Sequence, residues 1–116
     1  IPEGVTEISY AAFGYAESLN TVNLPTSVTK IGNFAFQNCG FTSMNVPATV
    51  KELGEGAFST CRSLTDVTVA SETVGKKALY FCDALTNVTL TDDVRRLVRK
   101  HLDTVRVSKA LRFPAA

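Results

Sequence analysis

Three cysteines are the residues with the clearest capacity for chemistry, because thiolates bind metals and act as nucleophiles. Cys39, Cys61 and Cys82 lie 22 and 21 residues apart, and Ala16 occupies the equivalent position 23 residues before the first of them. A position shared by cysteine and alanine is small and buried, which predicts a ladder of inward-facing thiols. A metal site needs ligands that converge from several directions, and neither a C-x-x-C pair nor a second histidine accompanies these cysteines.

The other candidates for catalysis are isolated. His101 is the single histidine, and we expect it to be a solvated residue of a basic helix. No nucleophile is accompanied by a base and an orienting group at recognisable spacing. Gly54-Glu55-Gly56 lacks the third glycine and the lysine of a phosphate loop. Asn87-Val88-Thr89 matches a glycosylation acceptor, which matters only in a secreted eukaryotic protein. This inventory predicts a protein that is not an enzyme and uses no cofactor or metal.

The chain that must position these residues repeats one apolar pattern four times. The copies are Leu19-Asn-Thr-Val22-Asn-Leu24, Phe41-Thr-Ser-Met44-Asn-Val46, Leu64-Thr-Asp-Val67-Thr-Val69 and Leu85-Thr-Asn-Val88-Thr-Leu90. The last two apolar positions of each copy alternate with polar residues, as in a strand with one buried face. The central apolar residues recur every 21 to 23 residues. A fixed period in this range predicts a leucine-rich solenoid with a parallel sheet.

Each repeat has the same internal order, and the repeats span 2–24, 25–46, 47–69 and 70–90. The first two repeats open with a Pro-x-x-Val-x-x-Ile segment, and the third and fourth repeats open with variants of it. We expect this opening segment to be short and extended in every repeat. A corner follows, where glycine predicts either a permissive backbone or a close approach, at Gly32, Gly54 and Gly75. The Ala-Phe-x-x-Cys segment has the three-residue spacing of a helical turn laid on the core. Its aromatic residues should stack into a spine formed by Phe13, Phe36 and Phe58.

The full pattern, Pro-x-x-Val-x-x-Ile-Gly-x-x-Ala-Phe-x-x-Cys-x-x-Leu-x-x-Val-x-Leu, resembles the BspA-type, or Treponema pallidum-type, leucine-rich repeat. Repeat 3 matches almost every position, and the resemblance covers residues 2–90. Departures include Ser9 in place of glycine, Leu79 in place of phenylalanine, and a deletion near Gly40 that puts Phe41 at the leucine position. The resemblance implies a cell-surface or secreted protein of bacteria or protists that mediates adhesion or protein recognition.

The C-terminal part of the chain departs from the repeat. Thr91-Asp92-Asp93 has the composition of a helix start, and apolar residues at 94, 97, 98 and 102 mark one helical face. Residues 102–107 again read apolar-x-x-apolar-x-apolar. We therefore predict a capping helix and a degenerate fifth strand over 91–107, followed by a tail over 108–116. The predicted fold class is an α/β solenoid of about four repeats with a C-terminal helix-strand cap.

The predicted sheet presents two columns of short polar side chains to solvent. They are Thr21, Asn23, Ser43, Asn45, Asp66, Thr68, Asn87 and Thr89. Five strands would give a face roughly 20 Å tall. Short hydroxyl and amide side chains lose little rotamer entropy and both donate and accept hydrogen bonds, which suits a protein or glycan ligand. The alternative is that polar residues simply solvate the sheet. Exposed aromatics on the other side of the repeat, among them Tyr10, Tyr15 and Phe81, form a second candidate surface.

Charge narrows the class of partner. The net charge is +1, which argues against a nucleic-acid partner, although residues 1–90 carry −3 and residues 91–116 carry +4. The basic end could bind an anionic partner or be a solvated cap. No run of 18 apolar residues predicts a membrane span. The open first repeat could pair with further repeats or associate with another molecule through its edge.

These observations favour a non-enzymatic interaction or adhesion module, with a structural spacer that displays another domain as the alternative. Because the chain begins at Ile1 inside a repeat, we expect it to be a piece of a longer protein.

Overall fold

The computed structural model describes residues 1–90, which form seven short strands in two parallel sheets. The strands are β1 (Glu7–Ile8), β2 (Lys30–Ile31), β3 (Ser43–Val46), β4 (Glu52–Leu53), β5 (Asp66–Val69), β6 (Thr73–Val74) and β7 (Asn87–Leu90). Sheet A has the order β1-β2-β4-β6, and sheet B has the order β3-β5-β7. The predicted capping helix, fifth strand and tail fall within 91–116 and lie outside the described residues.

Sheet B is formed by the apolar-x-x-apolar-x-apolar copies of the last three repeats. Met44, Val67 and Val88 lie side by side in parallel register. Along each strand the residues alternate between exposed and buried, because successive side chains point to opposite faces of a sheet. The prediction of strands with one buried face is therefore confirmed for these three repeats.

Sheet A is formed by the short extended segments that open each repeat, again in parallel register. One residue of each strand faces the core, and the residue before it faces solvent. Lys30 Nζ lies 3.5 Å from Glu7 and 3.6 Å from Glu52 on the solvent face. One turn of the chain around the core is a coil, and residues 1–90 form about four coils, numbered here in chain order.

The segments between sheet A and sheet B are not helical turns, so the α/β class is wrong for residues 1–90, which contain no helix. Alternate residues of the first three segments donate their N–H to the next coil. Phe34 N bonds Glu55 O, Phe36 N bonds Ala57 O and Asn38 N bonds Ser59 O, at 2.8–2.9 Å. A helix would use these donors within the segment and leave the coils unbonded here. The described part of the chain is a parallel β-solenoid of about four turns.

This bonding places two residues of each segment in the left-handed region of backbone space. The first column is Ala11, Phe34, Gly56 and Lys77, and the second is Tyr15, Asn38, Thr60 and Phe81, with φ between 51° and 63°. Only one of these eight residues is glycine, although side chains disfavour this conformation by roughly 1 kcal/mol. Because the same φ recurs in every coil, the intercoil hydrogen bonds, and not the residue type, impose it.

The core is a column of aromatic rings between the sheets. Phe13 and Phe36 stack with centroids 5.3 Å apart and planes 3° from parallel, and Phe36 and Phe58 stack at 5.5 Å and 6°. Phe41 packs edge-on, 6.0 Å from the second and third rings of the column. The predicted aromatic spine is confirmed, and Phe41 fills the leucine position of its repeat while fully buried.

Glycine is required at the corners after sheet A because successive coils approach closely there. A Cβ on Gly54 would lie 2.6 Å from Asn33 N, and a Cβ on Gly75 would lie 2.5 Å from Glu55 N. Neither glycine has a positive φ. Of the two roles that the sequence allowed, close approach is the one observed.

Candidate functional site

The solvent face of sheet B brings together six of the eight predicted ligand-binding residues. Ser43, Asp66 and Asn87 form one column across β3, β5 and β7, and all three are exposed. Asn45, Thr68 and Thr89 form the second column, also exposed. Adjacent strands lie about 4.8 Å apart, so the outer strands of this face are separated by roughly 10 Å, half the predicted height.

A single carboxylate at the centre of this face is held by its neighbours. Asn87 Nδ2 donates to Asp66 Oδ1 at 2.7 Å, and Thr65 Oγ1 lies 2.9 Å from Asp66 Oδ2. A side chain already fixed by hydrogen bonds loses less entropy when a partner binds. The face therefore presents one oriented negative charge surrounded by neutral hydroxyl and amide groups.

The threonines that precede the columns complete this face, and the sequence analysis missed them. The single hydroxyl proton of Thr65 can go either to Asp66 Oδ2 at 2.9 Å or to Thr42 O at 3.1 Å, and Thr86 Oγ1 donates to Thr65 O at 3.3 Å. Each hydroxyl thus reaches the backbone of the preceding coil. The signal was present, because threonine recurs at 42, 65 and 86 with the period of the repeat.

The first coil departs from the prediction, because Thr21 and Asn23 do not belong to a strand. Within residues 1–90, no backbone hydrogen bond joins the segment 20–24 to β3. Repeat 2 is one residue shorter just before β3, where Gly40 lies against the carbonyls of Glu17 and Leu19. Thr21 and Asn23 instead line an open depression of about 560 Å³ at the end of the first coil.

The solvent face of sheet A has a different chemistry. Glu7, Lys30 and Glu52 alternate in charge down one column, and Lys51 pairs with Glu72 at 3.6 Å in the next column. Three carboxylates and two ammonium groups leave this set with one net negative charge, and ion pairs this exposed contribute little stability. The face of sheet B, with one carboxylate among neutral hydrogen-bonding groups, is thus distinct from the face of sheet A, which is covered by exposed ion pairs.

The cysteine ladder is confirmed, with Cys39, Cys61 and Cys82 free and buried. Each thiol donates to the carbonyl of a phenylalanine in the preceding coil, at 3.1 to 3.2 Å. Burial, followed by the neighbouring Cys61, raises the pKa of Cys39 to about 11. The hydrogen bond with Cys82, and then burial, raise the pKa of Cys61. The raised pKa values of Cys39 and Cys61 suppress their nucleophilic and metal-binding thiolates, and the Cys82 thiol is buried and bonded to Phe58 O, so the ladder is structural.

Three aromatic residues in the segments that lead from sheet A to sheet B are exposed, as predicted. Tyr10, Tyr15 and Phe81 retain 70%, 67% and 58% of their accessible surface. Tyr80 packs edge-on against Phe81 with centroids 4.5 Å apart, and Lys77 Nζ lies 5.4 Å from the centre of the Tyr80 ring. The exposed aromatic side chains therefore lie in the first and fourth coils.

Two further features bear on the class of site. Among residues 1–90, no group of three or more histidine, cysteine or acidic side chains is arranged to hold a metal ion. The same residues include no helix that could cross a membrane. His101 lies outside the described residues, and Asn87 of the glycosylation pattern is exposed on β7.

Comparison with known proteins agrees with this geometry. The family model of the BspA type leucine rich repeat region matches residues 1–103 in six copies. A leucine-rich repeat protein from Bacteroides ovatus ATCC 8483, solved by crystallography, is similar in structure with a TM-score of 0.77 and 30% sequence identity. The similarity covers 81% of this chain but 25% of that protein, so the chain spans about a quarter of its length. No curated protein matches the sequence. The chain belongs to the BspA-type leucine-rich repeat family.

Proposed function

We propose that the chain is a non-enzymatic interaction module that binds a protein partner through the solvent face of sheet B. The observation that carries this proposal is the oriented carboxylate of Asp66, held at 2.7 Å by Asn87 and surrounded by neutral polar side chains. A partner can place a cationic or amide donor on this carboxylate and satisfy the neighbouring hydroxyls without burying an unpaired charge.

Membership of a repeat family whose folds generally mediate protein interactions supports the same proposal. A rigid parallel sheet holds its outward side chains at fixed spacing, so binding costs little ordering of the receptor. We also propose that the full-length protein acts at the cell surface or in secreted form, with a role in adhesion; the family resemblance supports this proposal.

The proposal is tested by charge reversal on one sheet with a matched control on the other. One variant carries lysine at Asn45, Asp66 and Asn87, and the control carries lysine at Glu7, Glu52 and Thr73 of sheet A. Both sets are exposed residues on three strands. Partners are first identified by screening the immobilised chain against an array of purified extracellular proteins, and affinities are then measured by surface plasmon resonance.

We expect the sheet B variant to weaken binding by about a hundredfold or more, because it buries unpaired like charges at the centre of the interface. The sheet A variant should bind within a few-fold of the original chain. Equal binding by all three proteins would eliminate sheet B as the site. An array on which no extracellular protein binds would instead favour the structural spacer.

A further inference from the structure

A small notch opens where β1 and β2 of sheet A turn into the segments that follow them. It has a volume of about 260 Å³. The residues that line it are Glu7, Ile8, Ser9, Tyr10, Lys30, Gly32 and Asn33. Pockets for drug-sized ligands occupy roughly 300–1,000 Å³, so this notch suits a ligand with a single small ring.

One wall of the notch is an aromatic ring in a supported position. Tyr10 packs edge-on against Phe34, with centroids 6.0 Å apart and planes at 78°. Phe34 in turn lies directly over Gly56, where a Cβ would come 2.6 Å from the Phe34 ring carbon Cδ1. The ring pair therefore depends on glycine at position 56. Tyr10 keeps 70% of its surface exposed, so its ring remains available to a ligand.

The remaining walls carry hydrogen-bonding groups of both kinds. Asn33 Oδ1 accepts from Glu55 N at 2.9 Å, which leaves the Asn33 Nδ2 donor without an acceptor among residues 1–90. The Glu7 carboxylate supplies acceptors, and Lys30 contacts it at 3.5 Å while contacting Glu52 at 3.6 Å. An ammonium group has three donors, so one remains after these two contacts. The Ser9 hydroxyl at the rim can both donate and accept.

From this arrangement we infer that the notch binds one ring of a neutral carbohydrate. A pyranose has an apolar C–H face that can lie on an aromatic ring, and a rim of hydroxyls that donate and accept simultaneously. Tyr10 supplies the ring, while Glu7, Asn33 and the free Lys30 donor meet the hydroxyls. Glu7 and Lys30 cancel in charge within the notch, and Glu52 stands behind the lysine. An acidic sugar would face the Glu7 carboxylate, so the ligand is uncharged.

This site is separate from the sheet B face and does not depend on it. The other exposed aromatic pair, Tyr80 with Phe81, lies in the fourth coil and does not line the notch. Tyr15 is as exposed as Tyr10 and lies in the same segment of the coil, but it does not line the notch. Replacement of Tyr15 therefore controls for the loss of an exposed aromatic ring that lies outside the notch.

The test uses the ¹⁵N-labelled chain and three probes, the methyl glycosides of β-glucose, β-galactose and α-mannose, followed by two-dimensional NMR. We expect at least one probe to shift the amide resonances of Ser9, Tyr10, Gly32 and Asn33 in a saturable way. A ligand of about a dozen heavy atoms should bind with a Kd on the order of millimolar. Tyr10→Ala should weaken binding about tenfold or more, whereas Tyr10→Phe and Tyr15→Ala should stay within about twofold.

Three results would overturn the inference. The first is that no probe moves the notch amides at about 50 mM, well above a millimolar Kd. The second is that Tyr15→Ala weakens binding as much as Tyr10→Ala, which would show non-specific contact with exposed rings. The third is that these amides respond to a protein partner and not to sugars. The spectra of the variants report their folding directly, and Tyr10 is too exposed for its loss to unfold the chain.

Discussion

The stack of phenylalanine rings predicts that the cost of removing a ring depends on its place in the column. Phe36 is fully buried, with a parallel ring on each side at 5.3 and 5.5 Å and an edge-on ring at 6.0 Å. Phe13 is half-buried and stacks on one ring only among the described residues. The test replaces each phenylalanine by alanine. Both phenylalanines follow an alanine, so the two substitutions have the same local sequence context.

The magnitudes follow from burial and ring contacts. Truncation of a buried phenylalanine to alanine costs about 3–5 kcal/mol, and each aromatic pair adds about 0.5–1.5 kcal/mol beyond area burial. With three ring neighbours, Phe36→Ala should lie at the upper end, at about 4–5 kcal/mol. Phe13→Ala leaves a space that already opens to solvent and loses one pair, so we expect about 1–2 kcal/mol. Domains of this size have a free energy of unfolding of about 5–15 kcal/mol, so Phe36→Ala should remove much of it.

The assay is equilibrium unfolding in urea, followed by far-ultraviolet circular dichroism and by tyrosine fluorescence. Tyr15→Ala serves as the control for loss of an aromatic ring without loss of core, with an expected change within about 0.5 kcal/mol. Phe36→Leu should recover most of the stability, since it refills the space with an apolar side chain. If Phe13→Ala proved as costly as Phe36→Ala, or if Phe36→Ala cost less than about 1 kcal/mol, the ring column would not be the core of this fold.

Three further predictions concern the corners, the thiols and the charged sheet. Gly54→Ala should lower the free energy of unfolding in urea by more than about 2 kcal/mol, because the added Cβ would lie 2.6 Å from a backbone nitrogen of the preceding coil. Gly4→Ala is the control, since its Cβ would meet nothing within 4 Å. We expect it to lower the free energy of unfolding by about 1 kcal/mol, from the φ of +98° alone. The raised pKa of Cys39 means that the folded chain keeps a proton that the unfolded chain releases above pH 9.0, so stability present below pH 9 should fall as the pH rises towards 11. Between pH 9 and 11 the original chain should lose about 2–3 kcal/mol more of its free energy of unfolding than the Cys39→Ala variant does. Parallel pH profiles of the original chain and the variant would contradict this prediction. Lys30→Ala should change the free energy of unfolding by less than about 1 kcal/mol, measured at low and high salt, because both of its ion pairs are half exposed.

The features that the sequence predicts correctly are those fixed by a repeated burial pattern. Alternation at Met44 and Val46, and again at their counterparts in the next two repeats, determines which face of sheet B is buried. Recurrence of cysteine and alanine at one position marks an inward ladder because only a small residue fits between stacked coils. For the strand residues and for the cysteines alike, each side chain packs beside the residue at the same position of the next repeat, so the repeat pattern alone predicts the contact.

The errors have a different origin, because they depend on where backbone hydrogen bonds go. A spacing of three from Phe36 to Cys39 fits a helical turn and fits the observed turns equally well, since both bring residues three apart to one face. The choice is made by the carbonyls of the next coil, such as Ala57 O, which accept the donors a helix would need. The lack of pairing between residues 20–24 and β3 was likewise hidden from the motif, because the first repeat keeps the full apolar-x-x-apolar-x-apolar pattern.

At the two columns of residues with positive φ, the backbone geometry needed by the fold does not depend on which side chain is displayed at the surface. The backbone there is fixed by bonds between main-chain atoms of neighbouring coils, and none of the non-glycine side chains at these positions is buried. Tyrosine, asparagine, threonine, lysine and phenylalanine already occupy equivalent positions with one backbone geometry. Such positions can accumulate substitutions without altering the framework, which gives a lineage of these proteins a way to change what it recognises while keeping the same coil.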